Sequence, residues 1–257
     1  MPEITSGWQR SSLSRDAVLD APEARDAQLD GLDLSDLAIR RGRFEGVVFR
    51  DCLFVAAALS DTTFTACTFQ SCDFTDATLA RCAFIAAGRE SVRFRNVTFQ
   101  RLSAKECRLP QAVFERCNLY GVALEGCELS GASFTGSTFS KSYSRKVMMT
   151  EATVRNCRLR NVDLQRAHLE GADFTGTSLV GADLSQANLV DAVFRNADLA
   201  GVRWVGADLA NADLRGAELG GLDLLVLKAF TRLRISPEQQ SALLSELGVV
   251  IDASEDI

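Results

Sequence analysis

The chain has 257 residues, 47% of them hydrophobic and 24% charged, with a formal net charge of −6 and a sequence pI near 5.0. That length holds one domain or two, and the acidic balance argues against nucleic acid as the main partner. No stretch approaches the roughly 18 consecutive apolar residues of a membrane helix, and a single histidine, His168, leaves little for histidine-based catalysis or zinc ligation.

Residues 1–26 are polar after Met1, with Asp16, Asp20, Glu23 and Arg25, and lack the apolar run of a signal peptide. They are expected to form a short helix limited by Pro22, or a disordered arm. The chain reads as a cytoplasmic protein.

From Leu29 to Leu224 every fifth residue is built for burial. Of these 40 positions 33 are Leu or Phe, and Ile39, Met149, Val154 and Trp204 fill four more. Fourteen of the 15 Phe lie in this register. Two residues before each stands a small one, mostly Ala, Cys or Val. The unit is small–polar–large–polar–polar, as in Ala207-Asp208-Leu209-Ala210-Asn211. A helix needs apolar residues three and four apart and a simple strand needs alternation. A strict five fits a chain that turns a corner every five residues with both the large and the small residue pointing inward. A short fixed period marks a solenoid whose stacked repeats bury one continuous core.

On these residues the chain resembles the pentapeptide-repeat proteins, whose pattern is A(D/N)LXX. Ala167 to Leu224 matches closely, and Cys52 to Phe139 is a looser version with Cys and Phe in the same slots. The resemblance implies an all-β solenoid, a right-handed quadrilateral β-helix with four repeats per coil over residues 27–226. Forty repeats would make about ten coils and, at the strand spacing of about 4.8 Å, a rod about 48 Å long. Some members of the family inhibit or protect DNA gyrase, with an acidic rod of duplex-like width in the enzyme's DNA saddle.

All eight Cys (52, 67, 72, 82, 107, 117, 127 and 157) occupy the small inward slot. They read as free apolar fillers. With no Cys-x-x-Cys pair and His168 in an outward slot, neither a metal nor another cofactor is expected.

Arg89, Ala104 and Ser144 interrupt the large slot without breaking its phase. A lone charge is too costly to bury there, so the chain is expected to bulge outward at Arg89 and at Ser144, and loops on a rigid scaffold often carry function. Arg89 and the group Lys141, Tyr143, Arg145 and Lys146 are candidate contacts. Residues 141–169 carry a net +5 and residues 93–116 a net +4, whereas residues 170–224 carry −6. The acids Asp173, Asp183, Asp191, Asp198, Asp208, Asp213 and Glu218 of that last section are the candidate partner-binding set. Duplex DNA carries one negative charge per roughly 1.7 Å, so an acidic rod suits a DNA-binding groove. Most of these acids are also the Asp of the repeat itself, which makes solvated scaffold charge the competing explanation. Direct nucleic-acid binding through the basic middle is not expected.

Residues 227–257 form a different segment. Ser236-Pro237-Glu238-Gln239 reads as a helix start, with Ser as cap, Pro at the first helical position and Gln three residues after the cap. A helix is expected over about 237–247, with Leu243, Leu244 and Leu247 as its apolar stripe and Gly248 as its end. Val249-Val250-Ile251 reads as a short strand. A solenoid needs its open end covered, so this segment is expected to cap the rod. By the resemblance, Phe230, Leu244 and Leu247, with Leu243 beside them, also form a homodimer seam.

With no nucleophile–base pair, phosphate-binding loop or metal spacing, the sequence reads as a non-catalytic protein-binding scaffold, with a type II topoisomerase as its partner by resemblance. The alternative is an interaction protein for another partner, such as a secretion-system factor, an immunity protein or an effector, since one fold serves many functions.

Overall fold

The structure, a computed structural model, describes residues 17–144 and 147–250. The five-residue period becomes a four-sided parallel β-solenoid. On face I the rungs are Val18, Ala38, Ala58, Thr78, Ser103, Ala123, Thr153, Asp173, Val193, Asp213 and Arg234, each paired in parallel with the next. Face II climbs from Glu23 through Arg43 and Thr63 to Glu218, face III from Gln28 through Val48 to Arg203, and face IV from Asp33 through Leu53 and Asp73 to Thr138, resuming from His168 to Ala229. These rungs define ten coils and the start of an eleventh.

Both inward slots are filled as expected. Leu29, Phe49, Phe69, Leu184 and Leu209 are at most 1% exposed, and Cys67, Ala77, Ala182 and Ala212 are sealed beside them. Phe side chains stack from coil to coil. Phe44, Phe64 and Phe84 form one column, Phe49, Phe69, Phe94, Phe114 and Phe134 another, with neighbouring centroids 4.6 to 5.1 Å apart. Outside residues 85–92 and 140–152, every corner turns through a left-handed residue at the last position of the repeat, with φ between 46° and 83° from Ala21 to Gly221. At Gly176 a Cβ would lie 2.3 Å from Oδ1 of Asn156 in the coil below, so a larger residue there requires that side chain to turn away.

Three expectations need correction. Residues 17–26 are not an arm. They are the start of the first coil, with strands Val18–Asp20 and Glu23–Arg25 and with Leu19 buried. Pro22 is a buried small-slot filler whose carbonyl accepts from the amide of Arg43 at 2.8 Å. Residues 1–16 lie outside the described residues. Secondly, the solenoid does not stop at 226, since Ala229 pairs with Asp208 and Arg234 with Asp213. Thirdly, Val249 and Val250 form no strand; the amide of Val249 instead donates to Leu244 O at 2.9 Å and that of Gly248 to Ser245 O at 2.9 Å. Those two bonds, with Gly248 at φ 75°, close the helix in a Schellman motif. Ile251 lies outside the described residues.

The helix opens as a 3-10 turn, Pro237–Gln239, and continues as an α-helix, Gln240–Glu246. Gln239 joins it to the rod. Its side-chain oxygen accepts from the amide of Ser236 at 2.7 Å, and its Nε2 donates to Leu214 O at 2.8 Å and Ala217 O at 2.7 Å. One side chain thus starts the helix and satisfies two carbonyls of the last full coil. Among the described residues no buried side-chain nitrogen or oxygen lacks a partner, and no helix is long and apolar enough to cross a membrane.

Candidate partner-binding surfaces

The interruptions become hairpins that the five-residue count conceals. The step from Thr78 to Ser103 is 25 residues and the step from Ala123 to Thr153 is 30, against 20 for the other steps of face I up to Asp213 and 21 from Asp213 to Arg234. Both insertions are multiples of five, so the large-slot register survives them. The first, closed by paired Ala87 and Glu90, lifts Arg89 into solvent at the corner between faces II and III. The second is an antiparallel hairpin of Ser140–Ser144 and Val147–Thr150 at the corner between faces IV and I. Ala104 does not bulge. It stays in the core, 2% exposed, between Leu79 and Leu124.

Lys141 is exposed on the second hairpin, and its Nζ lies 5.8 Å from the ring centroid of Tyr120. Tyr120 occupies an outward slot of face IV and is nevertheless only 4% exposed. Thr150 Oγ1 donates to His168 O at 3.3 Å at the foot of the hairpin. The hairpin therefore folds onto face IV, which sequence reasoning missed; an aromatic in an outward slot was the available signal. The structure describes the backbone of Tyr143 only, and Arg145 and Lys146 lie outside the described residues.

The structure does not gather the acidic set on one face. Asp173 and Asp213 are on face I, Asp198 and Glu218 are stacked on face II, Asp183 is on face III, Asp208 is on face IV and Asp191 is at the corner after it. Nor are they all available. Asp213 is 1% exposed and is held by Arg195 Nε at 2.7 Å and Arg215 Nη2 at 2.7 Å. The Arg215 guanidinium beside it, with Arg195, holds its carboxyl well below the usual carboxylate range despite burial. Asp183, 7% exposed, is paired with Arg203. Asp173 is paired with Arg155 (2.7 Å) and Asp208 with Lys228 (3.0 Å), both partners lying outside the −6 section.

These aspartates also have a structural task. The carboxylates of Asp173, Asp183 and Asp208 accept from the amides of Thr175 (2.9 Å), Ser185 (3.0 Å) and Ala210 (3.2 Å), closing a local turn two residues on. Asp191, Asp198 and Glu218 remain the least engaged, with no ion pair to a described residue; Asp198 still accepts from Ala200 N at 3.3 Å.

At the C-terminal end, Phe230 is 43% exposed, Leu247 36% and Leu225 78%, and Leu244 is half-buried. Leu243, 5% exposed, is packed into the core, so it belongs to the cap and is removed from the seam. The free cysteines are all buried. Burial pushes the Cys67 thiol up to about 12 and that of Cys117 up to about 11, so both stay protonated at neutral pH. The described residues contain no cluster of His, Cys, Asp or Glu able to hold a metal. The core void running between Phe74 and Phe174 amounts to about 50 Å³ and is apolar, far below the several hundred Å³ of a ligand pocket.

Models of the pentapeptide repeat region match residues 147–224, and eight-copy pentapeptide repeat models match residues 43–81, 93–136 and 127–166. Among proteins of curated function none matches significantly. Among solved structures, full-length QnrB1, a plasmid-mediated fluoroquinolone resistance protein, is similar with a TM-score of 0.66 at 19% identity, covering 90% of this chain and 100% of QnrB1. A trypsin-treated QnrB1 variant gives 0.63 at 20% identity, covering 93% and 100%. At that identity the likeness is one of fold.

Proposed function

Because this chain belongs to the pentapeptide repeat family, we infer that it is a non-catalytic, cytoplasmic protein-binding scaffold whose partner is a type II topoisomerase such as DNA gyrase. The observation that supports this reading most is the rod itself, which matches QnrB1 along that protein's whole length and presents four faces and two hairpins around a core whose void is about 50 Å³. The acidic contact in this reading is narrower than the full set. Asp191, Asp198 and Glu218 carry it, because Asp183 and Asp213 are buried and committed to arginines. The Arg89 hairpin and the hairpin of Lys141, Tyr143, Arg145 and Lys146 supply further contacts from diagonally opposite corners. Two copies join at their C-terminal ends through Phe230, Leu244 and Leu247, placing both acidic sections at the centre of a longer rod.

The burial of two of the seven acids favours the second reading, an interaction protein for a different partner, to that extent. A gyrase supercoiling assay with the purified protein, with and without a fluoroquinolone, separates them. Inhibition or drug protection that is lost in the Asp191→Asn, Asp198→Asn, Glu218→Gln triple variant is the expected result. No effect in either arm removes the topoisomerase reading. Light scattering of the same sample tests the seam, and a monomer at all concentrations rejects it.

A further inference from the structure

Charge is unevenly placed around the rod as well as along it. Many exposed arginines are answered by an acid one coil away, as in Arg25–Glu45, Arg81–Asp61, Arg95–Glu115 and Arg158–Glu128. Arg40, Arg89, Arg232 and Arg234 form no such pair with a described residue, and one zone gathers five more. On faces II and III of coils four to seven, and on the corner after face III, stand Arg93, Arg108, Arg116, Arg160 and Arg166, all exposed. Arg116 Nε donates to Asn96 Oδ1 at 3.0 Å and Arg166 Nε to Gln186 Oε1 at 2.9 Å. Neutral amides hold these two guanidiniums in place and leave their charge uncompensated. Arg93, Arg108 and Arg160 form no ion pair with a described residue.

The zone covers three coil steps, about 14 Å at the strand spacing. It lies across the rod from the hairpin that carries Lys141. We propose that it is a docking surface for a compact acidic patch on a protein partner, independent of the topoisomerase reading. Guanidiniums favour carboxylates, which they bind bidentately. The small extent of the zone argues for such a patch over a duplex. The −6 section begins immediately above it, and the whole chain is at −6, so a long polyanion lying along the rod meets repulsion as soon as it leaves the zone.

The test uses the full chain with two fluorescent probes, an oligoglutamate peptide and a short DNA duplex, read by anisotropy at about 50 mM and about 200 mM salt. One variant carries Arg93→Ser, Arg108→Ser and Arg160→Ser. A charge-matched control carries Arg40→Ser, Lys228→Ser and Arg232→Ser, all exposed and outside the zone. The expected result is a loss of peptide affinity of at least about tenfold in the first and less than about twofold in the second, with the peptide preferred over the duplex. Equal losses in both variants, absence of peptide binding, or tighter binding of the duplex through the same arginines each overturns the proposal.

Discussion

In the first three coils, faces I to III run as three-residue strands such as Thr63–Thr65 and Thr68–Gln70, and only the corner after face IV is closed by a bond of its own, from Leu37 N to Leu34 O or from Ala57 N to Phe54 O. From Leu159 to Leu222 every corner is closed in that way, from the small residue back to the large one three before it, at 2.8 to 3.3 Å. The difference sets the chemistry of the outward slot before the large residue. In a turned corner the amide after the large residue is taken by the side chain of Asp or Asn two residues before, as with Asp163, Asp173, Asp183 and Asn188. In the first three coils this arrangement occurs at Asp33 and Asp73, both on face IV, the one face whose corner turns. Where the corner is extended, the slot is free of that task and holds Val48, Thr63 or Thr68, which suit a half-buried strand, as well as Glu23, Gln28 and Arg43. The close and loose matches to the repeat pattern therefore report two ways of turning a corner. The aspartates of the last coils are fold chemistry first and surface charge second.

The largest test of this division is Leu209→Asp. It places an unpaired charge among residues that are fully buried and costs about 5 kcal/mol. Because each coil touches only its neighbours, hydrogen exchange should show protection lost from coils eight to eleven and kept in coils one to four. Simultaneous loss in both regions would show that the rod unfolds as one unit and that the two ways of turning have no energetic boundary between them.

Asp213→Asn addresses the aspartate chemistry directly. The variant leaves Arg195 and Arg215 without their shared carboxylate and should lose about 3 kcal/mol at pH 7. Since the folded carboxyl titrates below its unfolded value, its contribution is complete above about pH 4 and fades as the pH falls through the folded value. The melting-temperature gap between wild type and variant should therefore narrow on acidification. A gap independent of pH would mean that the loss comes from packing. The equivalent change at Asp30, half-exposed beside Arg50 at 3.6 Å, should be worth less than about 0.5 kcal/mol.

Much of this was legible in the residues. The register placed nearly every core side chain, Ser236-Pro237 with Gln239 announced the helix start, and Arg89 announced an outward bulge because a charge has no place in that slot. Other features were hidden for physical reasons. Insertions of five and ten residues leave the phase untouched, so the count alone does not separate a longer coil from extra repeats. Ala24 in a large slot and Pro22 in a small one masked the first coil, where Leu19 still keeps the register. The acidic section was legible as a net charge. Its pairing was not, because Asp173 and Asp208 meet Arg155 and Lys228 across a coil step that only the folded rod provides.

The smallest test concerns the core. The slack lies in the middle coils, where the apolar void of about 50 Å³ is lined by residues between Phe74 and Phe174, Ala104 among them. Ala104 stands in a slot otherwise filled by Leu79 below and Leu124 above, so a larger side chain there meets empty space first. Ala104→Val adds two carbons to a strand position suited to β-branching, worth about 1.6 kcal/mol if both find room. A net gain of about 1 kcal/mol after partial strain is the expected result, read as a raised denaturant midpoint with unchanged slope. Ala182→Val makes the matched comparison, at a fully buried small slot in coil eight above the void; there the same two carbons should overpack and destabilise by about 1 to 3 kcal/mol. If both substitutions destabilise alike, the middle coils are as tightly filled as the last ones, and the contrast between the two regions is one of corners alone.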